Sequence, residues 1–301
     1  IGAPGSMSAK GRAYIFVWDG ISWGEQQPLD HPGNGIQANF GSSVAISGDG
    51  STALVTAQGH SFAAYNHEGA AYVFVRNGDT WTYQAELSAS DKAASDRFGD
   101  SAALSFDGGT AVVGCSNTGV YYDPEGKGAA YVYVRNGTTW TEQQRLKGLG
   151  SAHNVSEKQA KSVDLSDDGN TLISGSSYGM MEEGGVLPHG VAYVFARDGG
   201  TWSQQQILFT ADRVHNDAFG QSVSLSSDGN TALIGRTGNG GAVYLFTRSG
   251  TTWTEDQKVE TSDSTPLDTF GHSVALSGNA ERIIVGAYFT PINGNDKQGA
   301  A

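Results

Sequence analysis

The sequence predicts an all-β fold, a β-propeller of four-stranded antiparallel blades. Two sequence blocks alternate along the 301 residues and recur about every 60 residues. Each block holds two short segments of alternating apolar residues around an Asp-Gly or Asn-Gly pair, a pattern typical of a β-hairpin. The composition combines 43 glycines with few charges and many aromatic and β-branched residues, which argues against disorder. Repeated four-stranded units are typical of propellers, and a stacked solenoid is the structural alternative.

The first block reads Gly-x-Ala-Tyr-x-Phe/Tyr-x-x-x-Gly-x-x-Trp and supplies two strands of each repeat. Its copies run Tyr14–Trp23, Tyr72–Trp81, Tyr131–Trp140, Tyr193–Trp202 and Tyr244–Trp253. In the third copy, we expect strands Ala130–Arg135 and Thr139–Leu146 joined by Asn136-Gly137. Because the tryptophan recurs at one register, we expect it to pack between blades rather than to stack on sugars.

The second block reads Phe-Gly-x-Ser-Val-x-Leu-Ser-x-Asp-Gly-x-Thr-Ala-Leu-Ile-Gly and supplies the other two strands. Its copies begin at Phe40, Phe98, Gln159, Phe219 and Phe270, and the third replaces Phe-Gly with Gln159-Ala160. In the fourth copy, strands Ser222–Ser226 and Thr231–Gly235 flank Asp228-Gly229, where we expect φ > 0 at both positions. We expect the Ser and Asp of each turn to bond to the local backbone.

The repeats predict one domain, residues 1–301, with units of approximately 1–57, 58–114, 115–175, 176–235 and 236–301. We expect five blades in this chain. A closed ring would join Phe270–Ala287 to Gly11–Leu29 in one sheet. However, Gly286–Ala301 duplicates Gly2–Ala13, which a closed five-blade ring does not need, so a longer parent array is the alternative.

Charge and composition exclude several classes of function. The chain carries 18 basic and 31 acidic residues, a net charge of −13, which disfavours binding to nucleic acid. One cysteine, Cys115, permits no intrachain disulfide, and its apolar context predicts a buried thiol. No apolar run approaches the roughly 18 residues of a membrane span, so we expect no membrane insertion.

The Phe-Gly strand starts and Gly2-Ala3-Pro4 resemble the FG-GAP repeat of integrin α-subunit-like propellers. The subgroup that carries the AYVFVR-NG-TTW block looks most similar. This resemblance covers essentially the whole chain and implies a propeller of extracellular or cell-surface location.

Several members of that family hold calcium in the hairpin loop after the Phe-Gly strand. Calcium needs six to eight oxygen ligands, but here that loop has shrunk to Gly48-Asp49-Gly50 or Ser227-Asp228-Gly229. We therefore expect no cofactor and no metal at the family's position. The repeated pairs Asp91/Asp96, Asp212/Asp217 and Asp263/Asp268 are a weaker metal candidate, and we expect them to be turn and interblade hydrogen-bond partners.

The long connections should share one face, because both tight turns of each blade fall on the other. These connections are Ala57–Glu68, Cys115–Lys127, Ser176–His189, Arg236–Gly240 and Ala287–Gln298. Their candidate binding residues for a protein or glycan are Tyr65, His67, Glu68, Tyr121, Tyr122, Asp123, Glu125, Met180, Met181, Glu182, Glu183, His189, Tyr288 and Phe289. Aromatic residues beside carboxylates favour an interface; loops packed on themselves are the alternative.

A second set of variable residues follows the Phe-Gly pair and should ring the mouth of the central channel. The set is Ser42, Asp100, Lys161, Gln221 and His272. This axial mouth could bind a small polar ligand or hold water. Asp100, Lys161 and His272 are types that perform acid-base work, but we assign no catalytic residue. Gly175–Gly179 matches G-x-S-x-G without the strand-turn-helix context that a nucleophile elbow needs.

These observations favour a non-enzymatic extracellular or cell-surface propeller that mediates protein–protein, adhesive or structural interactions through its long-loop face. Self-assembly through blade edges is a variant. The alternative is a carbohydrate-binding, lectin-like propeller, or a glycan-processing enzyme, that uses the axial mouth. Asn136 and Asn154 lie in N-x-S/T sequons and are candidate glycosylation sites.

Overall fold

The computed structural model describes residues 1–5, 10–33, 38–61, 67–92, 96–116, 128–149, 159–182, 186–261 and 269–288, with backbone alone at 179–182 and 186–188. Several predicted residues lie outside the described residues. They are Tyr65, Tyr121, Tyr122, Asp123, Glu125, Glu183, Phe289, Asn154, Asp263 and Asp268. Every regular element in the described ranges is a β-strand, which confirms the all-β prediction.

Four complete blades each contain four strands in consecutive antiparallel order. The first complete blade contains β4 (Phe40–Ile46), β5 (Thr52–Ala57), β6 (Ala70–Asn77) and β7 (Thr80–Leu87), and the second contains β8 (Ser101–Leu104), β9 (Thr110–Cys115), β10 (Ala129–Asn136) and β11 (Thr139–Leu146). The third contains β12 (Gln159–Leu165), β13 (Thr171–Glu182), β14 (Val186–Asp198) and β15 (Thr201–Leu208), and the fourth contains β16 (Phe219–Leu225), β17 (Thr231–Arg236), β18 (Ala242–Ser249) and β19 (Thr252–Val259). The molecule is therefore built from propeller blades, as the repeats predict.

Two smaller sheets lie at the two ends of the array. The first contains β1 (Gly2–Ala3), β2 (Arg12–Trp18) and β3 (Trp23–Asp30), which correspond to the second, third and fourth strands of a blade. The last contains β20 (Phe270–Leu276) and β21 (Ile283–Ala287), which correspond to the first and second strands. In the described residues these are separate sheets, not the joined sheet that a closed five-blade ring requires.

The hairpin turns between first and second strands differ from the prediction in one respect. Only the glycine has positive φ, as at Gly229 with φ 65°, whereas Asp228 does not. The amide of Gly229 donates to the carbonyl of Ser226 at 2.9 Å. The Asp can keep ordinary backbone angles because its carboxylate closes the turn: Ser226 Oγ donates to Asp228 Oδ1 at 2.6 Å. The expected side-chain bonds are confirmed, but the prediction of positive φ at the Asp is wrong.

Tryptophan packing between blades is confirmed by hydrogen bonds. In four of the five copies the indole Nε1 donates to a glutamine of the preceding sheet, whereas Trp23 of the first sheet is exposed and does not fit the prediction. The pairs are Trp81 with Gln26 at 3.0 Å, Trp140 with Gln84 at 3.0 Å, Trp202 with Gln143 at 2.9 Å and Trp253 with Gln205 at 2.7 Å. Apolar clusters fill the same interfaces, so each blade buries its neighbour's side chains.

The tight-turn ends of the blades are joined by backbone hydrogen bonds. The amide of Phe106 donates to the carbonyl of Asp167 at 2.9 Å, and the amide of Asp167 donates to Ser227 at 3.0 Å. Ser227 continues the series to Gly278 at 2.9 Å. Backbone bonds of this kind do not depend on side-chain identity, so they fix the spacing of the blades.

Two further expectations concern the core and the membrane. Cys115 is fully buried, as its apolar context predicts. Among the residues described, no helix is long and apolar enough to cross a membrane.

Candidate functional site: the long-loop face and the axial mouth

The antiparallel order of each blade places its connections on two faces. Hairpin turns join the first strand to the second and the third to the fourth at one end. The connection from second to third strand lies at the opposite end. The ends of β5, β9 and β17 and the starts of β6, β10 and β18, between which these connections run, therefore lie at a shared face, the long-loop face.

One connection on this face is a β-hairpin and not an irregular loop. Strands β13 and β14 have 12 and 13 residues, against 6 and 8 for their counterparts β17 and β18. Met180 pairs with His189, and Glu182 with Val186. Most of the predicted long connection Ser176–His189 is therefore β-strand. Gly184-Gly185 between short segments is a hairpin signal that the sequence already contained.

Two predicted binding residues on the long-loop face are not accessible. Glu68 and His189 are buried. His189 Nδ1 lies 3.0 Å from the carbonyl oxygen of Gly190, at the start of the blade. The prediction that these side chains line an exposed interface is wrong, because both side chains are buried.

Two other predicted residues remain at the surface. His67 is half-buried, with Nδ1 3.2 Å from the carbonyl oxygen of Gly59. Tyr288 is 60% exposed and its ring stacks on the ring of His272 at 5.3 Å. His272 belongs to the axial mouth, so this stack connects that mouth with the long-loop face.

The axial mouth brings Asp100 and Lys161 together from neighbouring blades. Lys161 Nζ lies 3.8 Å from Asp100 Oδ1. The other carboxylate oxygen of Asp100 accepts hydrogen bonds from the amide and the hydroxyl of Ser116. This carboxylate is mostly buried and both of its oxygens have partners. Its contact with Lys161 helps to hold two neighbouring blades together.

The remaining positions of the mouth are in different environments. Ser42 is half-buried and its hydroxyl donates to the carbonyl of Asn39 at 2.7 Å. Gln221 is half-buried and His272 is exposed. Ser42, Lys161, Gln221 and His272 lie near the start of the first strand of their sheets, and Asp100 directly precedes β8.

Sequence reasoning missed Asp164, which lies within the first strand of its blade. Asp164 Oδ2 accepts hydrogen bonds from the amide of Leu225 at 2.7 Å and the hydroxyl of Ser224 at 3.2 Å, both in the next blade. Desolvation by burial raises the pKa of Asp164 to about 6, although these bonds oppose the shift. The equivalent positions are Ala45, Ala103, Ser224 and Ala275. An Asp where the other repeats have Ala or Ser was the sequence signal that could have identified Asp164.

A second group of side chains that sequence reasoning missed lies between the first sheet and the first complete blade, near the long-loop face. His31 Nε2 is 3.3 Å from His60 Nδ1, and the hydroxyl of Tyr72 is 3.2 Å from the same nitrogen. Burial, followed by the nearby charge of His31, lowers the pKa of His60. Neither histidine belongs to a repeated motif, so no repeat in the sequence indicates that the two lie together.

Acidic residues bind the equivalent tyrosines in two other blades. Tyr131 donates to Asp91 Oδ1 at 2.8 Å, and Tyr244 donates to Asp212 at 3.1 Å. Burial raises the pKa of Asp212, but hydrogen bonds and the charges of Lys258 and Arg236 outweigh it and lower the pKa below its usual range.

The second member of the Asp212/Asp217 pair is also engaged: Asp217 Oδ1 accepts hydrogen bonds from the amides of Gly190 and Phe219. The prediction of turn and interblade partners is thus confirmed for Asp91, Asp212 and Asp217. Among the described residues, no group of three or more His, Cys, Asp or Glu side chains could hold a metal ion.

The four-stranded blades, with Phe-Gly at the start of the first strand and Trp in the fourth, define a β-propeller built from sequence repeats. The family model described as FG-GAP repeat matches residues 23–74, 81–133, 202–246 and 253–301. Since these segments cover about two thirds of its length, the chain belongs to the FG-GAP repeat family. The longest unmatched segment, 134–201, contains the departure Gln159-Ala160. A comparison with curated proteins found no match.

Proposed function

We propose that this FG-GAP propeller is a non-enzymatic extracellular or cell-surface protein that binds another protein through its long-loop face. FG-GAP propellers commonly mediate protein interactions. The observation that carries the proposal is the contrast between nearly identical blades and unlike connections on one face. A rigid scaffold that presents variable connections is the usual arrangement of a binding surface.

The scaffold is fixed by bonds that recur at each blade interface. The arginine of the third strand reaches the preceding blade, as Arg197 Nη1 donates to Thr110 Oγ1 at 3.3 Å and Arg248 Nη1 to Thr171 Oγ1 at 3.1 Å. The tryptophan–glutamine bonds act beside them. Because these bonds join the blades to one another, a ligand at one connection meets blades whose arrangement is already fixed, which lowers the entropic cost of binding.

The connections differ in length and shape. Between β17 and β18 the chain crosses in five residues, whereas β13 and β14 extend beyond their blade as a paired hairpin. A long hairpin beside a shorter connection makes the surface of the long-loop face uneven. Protein interfaces depend on such shape, because the two partner surfaces fit each other closely. Tyr288 adds an exposed aromatic ring of the kind that forms interaction hot spots.

The test is binding to a panel of purified cell-surface and extracellular-matrix proteins, measured by biolayer interferometry. The loop-face variant carries Tyr121→Ser, Tyr122→Ser and Tyr288→Ser. The matched control is Asp79→Ser, whose side chain is exposed at the β6–β7 turn on the opposite face. We expect the wild-type chain and the control to bind a panel member equally. We expect the loop-face variant to lose that binding with an unchanged melting temperature.

Binding that survives in the loop-face variant, or is lost in Asp79→Ser, contradicts the proposal. A second variant replaces residues 177–190 with the five-residue connection 237–241, so that the hairpin is removed and the blade retained. This variant should bind at least about tenfold more weakly if the hairpin is part of the interface.

The axial mouth supports the alternative function, glycan binding, less well. Its carboxylate Asp100 is engaged by Lys161 and Ser116. A glycan that stabilises the wild-type chain saturably, but not Asp100→Ala, would favour this alternative over the protein-binding function. Location outside the cell is tested by expression in a eukaryotic secretory host, where Asn136, exposed at the end of β10, should be glycosylated.

A further inference from the structure

Two histidines from different sheets bring ring nitrogens together near the long-loop face. His31 directly follows β3, and His60 lies in the connection that follows β5. His31 Nε2 is 3.3 Å from His60 Nδ1. The ring centroids are 5.3 Å apart, with an angle of 22° between the ring planes. We call His31 and His60 the histidine pair.

The histidine pair replaces the contact that joins other blades at this place. At the repeat position of the first histidine, the later blades have Ala89, Gly148 and Thr210. Gly33 stands where Asp91 and Asp212 bind a tyrosine in later blades. Here the hydroxyl of Tyr72 lies 3.2 Å from His60 Nδ1 instead. Since other interfaces pack without imidazoles at this point, the packing of blades does not by itself require the pair.

The separation of the two rings matches joint binding of one metal ion. Histidine binds Zn²⁺ at about 2.0–2.1 Å with tetrahedral angles, which puts two ligand nitrogens about 3.3 Å apart and their ring centroids about 5.2 Å apart. The corresponding distances in the histidine pair are 3.3 Å and 5.3 Å. The two rings therefore have the spacing of a metal site before any ion binds.

The ring of His31 is held in place by its neighbours. It meets the ring of Phe40 at 5.7 Å and the ring of Tyr72 at 4.8 Å, both edge to face. His31 Nδ1 lies 2.9 Å from the carbonyl oxygen of Gly33. When Nδ1–H donates to this carbonyl, Nε2 carries the lone pair that a metal ion needs, the usual arrangement of a metal-binding histidine.

A second proton arrangement is open to the same side chains. The amide of Gly33 can donate to His31 Nδ1 at 3.0 Å, and Nε2–H of His31 then donates to His60 Nδ1. This arrangement joins the two rings through a proton. A metal ion between the nitrogens selects the first arrangement, because both facing nitrogens must then carry lone pairs.

The charges around the histidine pair favour a cation. The carboxylates of Glu68 and Glu86 are close enough to interact electrostatically with His60 and His31, respectively. The ammonium group of Lys92 acts on His60 in the opposite sense. Two carboxylates against one ammonium group leave a negative balance, which stabilises a bound divalent ion.

We propose that His31 Nε2 and His60 Nδ1 bind one Zn²⁺ ion, with water in the remaining coordination positions. Imidazole nitrogens suit Zn²⁺, whereas Ca²⁺ and Mg²⁺ take oxygen ligands. Because Nδ1 has a single lone pair, the ion displaces the hydroxyl of Tyr72 from it. The site is separate from the hairpin loop that holds calcium in related propellers, and it does not depend on a protein partner.

The test is isothermal titration calorimetry with ZnCl₂, after dialysis of the chain against EDTA and then into metal-free buffer. We expect saturable binding that His31→Gln and His60→Gln each weaken at least about tenfold, because each variant removes one ligand. The matched control is His215→Gln, which changes an exposed histidine in another blade and should bind Zn²⁺ as the wild type does. Millimolar Ca²⁺ should not compete with Zn²⁺. Thermal unfolding without metal shows whether each variant is folded.

Nuclear magnetic resonance of the wild-type chain provides a readout that needs no folded variant. Of the seven histidines, two should show ¹⁵N resonances of the imidazole ring that shift on addition of one equivalent of Zn²⁺. A wild-type chain that binds no Zn²⁺ overturns the proposal. It is also overturned if His31→Gln and His60→Gln bind like the wild type, if His215→Gln loses the site, or if Ca²⁺ displaces Zn²⁺.

Discussion

At the scale of single residues, polar side chains at the edges of the blade interfaces bind one another. Tyr131 donates to Asp91, and Arg145 Nη1 lies 2.5 Å from the same carboxylate. A buried donor or acceptor without a partner costs about 1–3 kcal/mol. Pairing the polar groups across each interface therefore makes the stacking of blades specific as well as stable.

Removing the hydroxyl of Tyr131 tests one such pair. Tyr131→Phe should lower the free energy of unfolding by about 1–2 kcal/mol, because Asp91 loses a hydrogen bond in a partly buried site. Tyr83→Phe is the control, since the ring of Tyr83 is exposed. Urea denaturation followed by tryptophan fluorescence measures both. Equal stability of the two variants would contradict the assigned role of Tyr131.

The pKa of Asp164 gives a prediction with a defined sign. Burial raises this pKa to about 6, above the usual 3.8, so folding favours the protonated carboxyl. The stabilisation is therefore complete below about pH 4 and is lost as the pH rises through 6. In Asp164→Asn this loss should be absent. Relative to the wild type, the variant's melting temperature should rise between pH 4 and pH 7.

The control for this measurement is Asp79→Asn, which changes an exposed carboxylate in a different blade. Its pH profile should run parallel to that of the wild type. If the Asp164→Asn profile also runs parallel, the carboxyl of Asp164 is not desolvated in solution and the assignment fails.

At the scale of elements, hairpins repeat with little change because their turns have strict backbone requirements. Gly229 has φ 65° and Gly137 has φ 63°, in the left-handed region that disfavours other residues. The two sites differ in space. A Cβ on Gly229 would lie 2.9 Å from Cβ of Thr171, whereas a Cβ on Gly137 would meet nothing within 4 Å.

Alanine substitution separates the two requirements. Gly137→Ala should lower the free energy of unfolding by about 1–2 kcal/mol, the cost of the left-handed backbone alone. Gly229→Ala adds a steric overlap with Thr171 and Ser166 and should cost about 1–3 kcal/mol more. Chemical denaturation of both variants measures the difference. Equal losses would show that the interior of the Asp-Gly turn yields easily to an added methyl group.

The elements also show what the sequence could predict. Strand pairs around Asn136-Gly137 and Asp228-Gly229 follow from local alternation and turn residues, and the structure contains them. The hairpin β13–β14 was missed because it interrupts the repeat. Asp164 and the pair His31 and His60 were missed for another reason. Their environment depends on contacts between blades, and no local pattern specifies which side chains meet there.

At the scale of the whole molecule, repetition is what makes the fold predictable and the function difficult to predict. Residues that recur in every blade, such as the tryptophans and their glutamine partners, form the frame. Residues that do not recur gather on the long-loop face and the axial mouth, where the sequence alone gives no measure of exposure. Glu68 and His189 illustrate this, because both lie on long connections and both are buried.

The blades stack in chain order, and each covers the tryptophan of the next. The most direct test compares the thermal unfolding of Trp202→Ala with that of Trp23→Ala. Trp202 is buried against the preceding blade and bonded to Gln143, so its removal should cost about 3–5 kcal/mol. Trp23 is exposed on the first sheet, and its removal should leave the melting temperature of the monomer nearly unchanged. Equal losses, or a larger loss at Trp23, would contradict this arrangement.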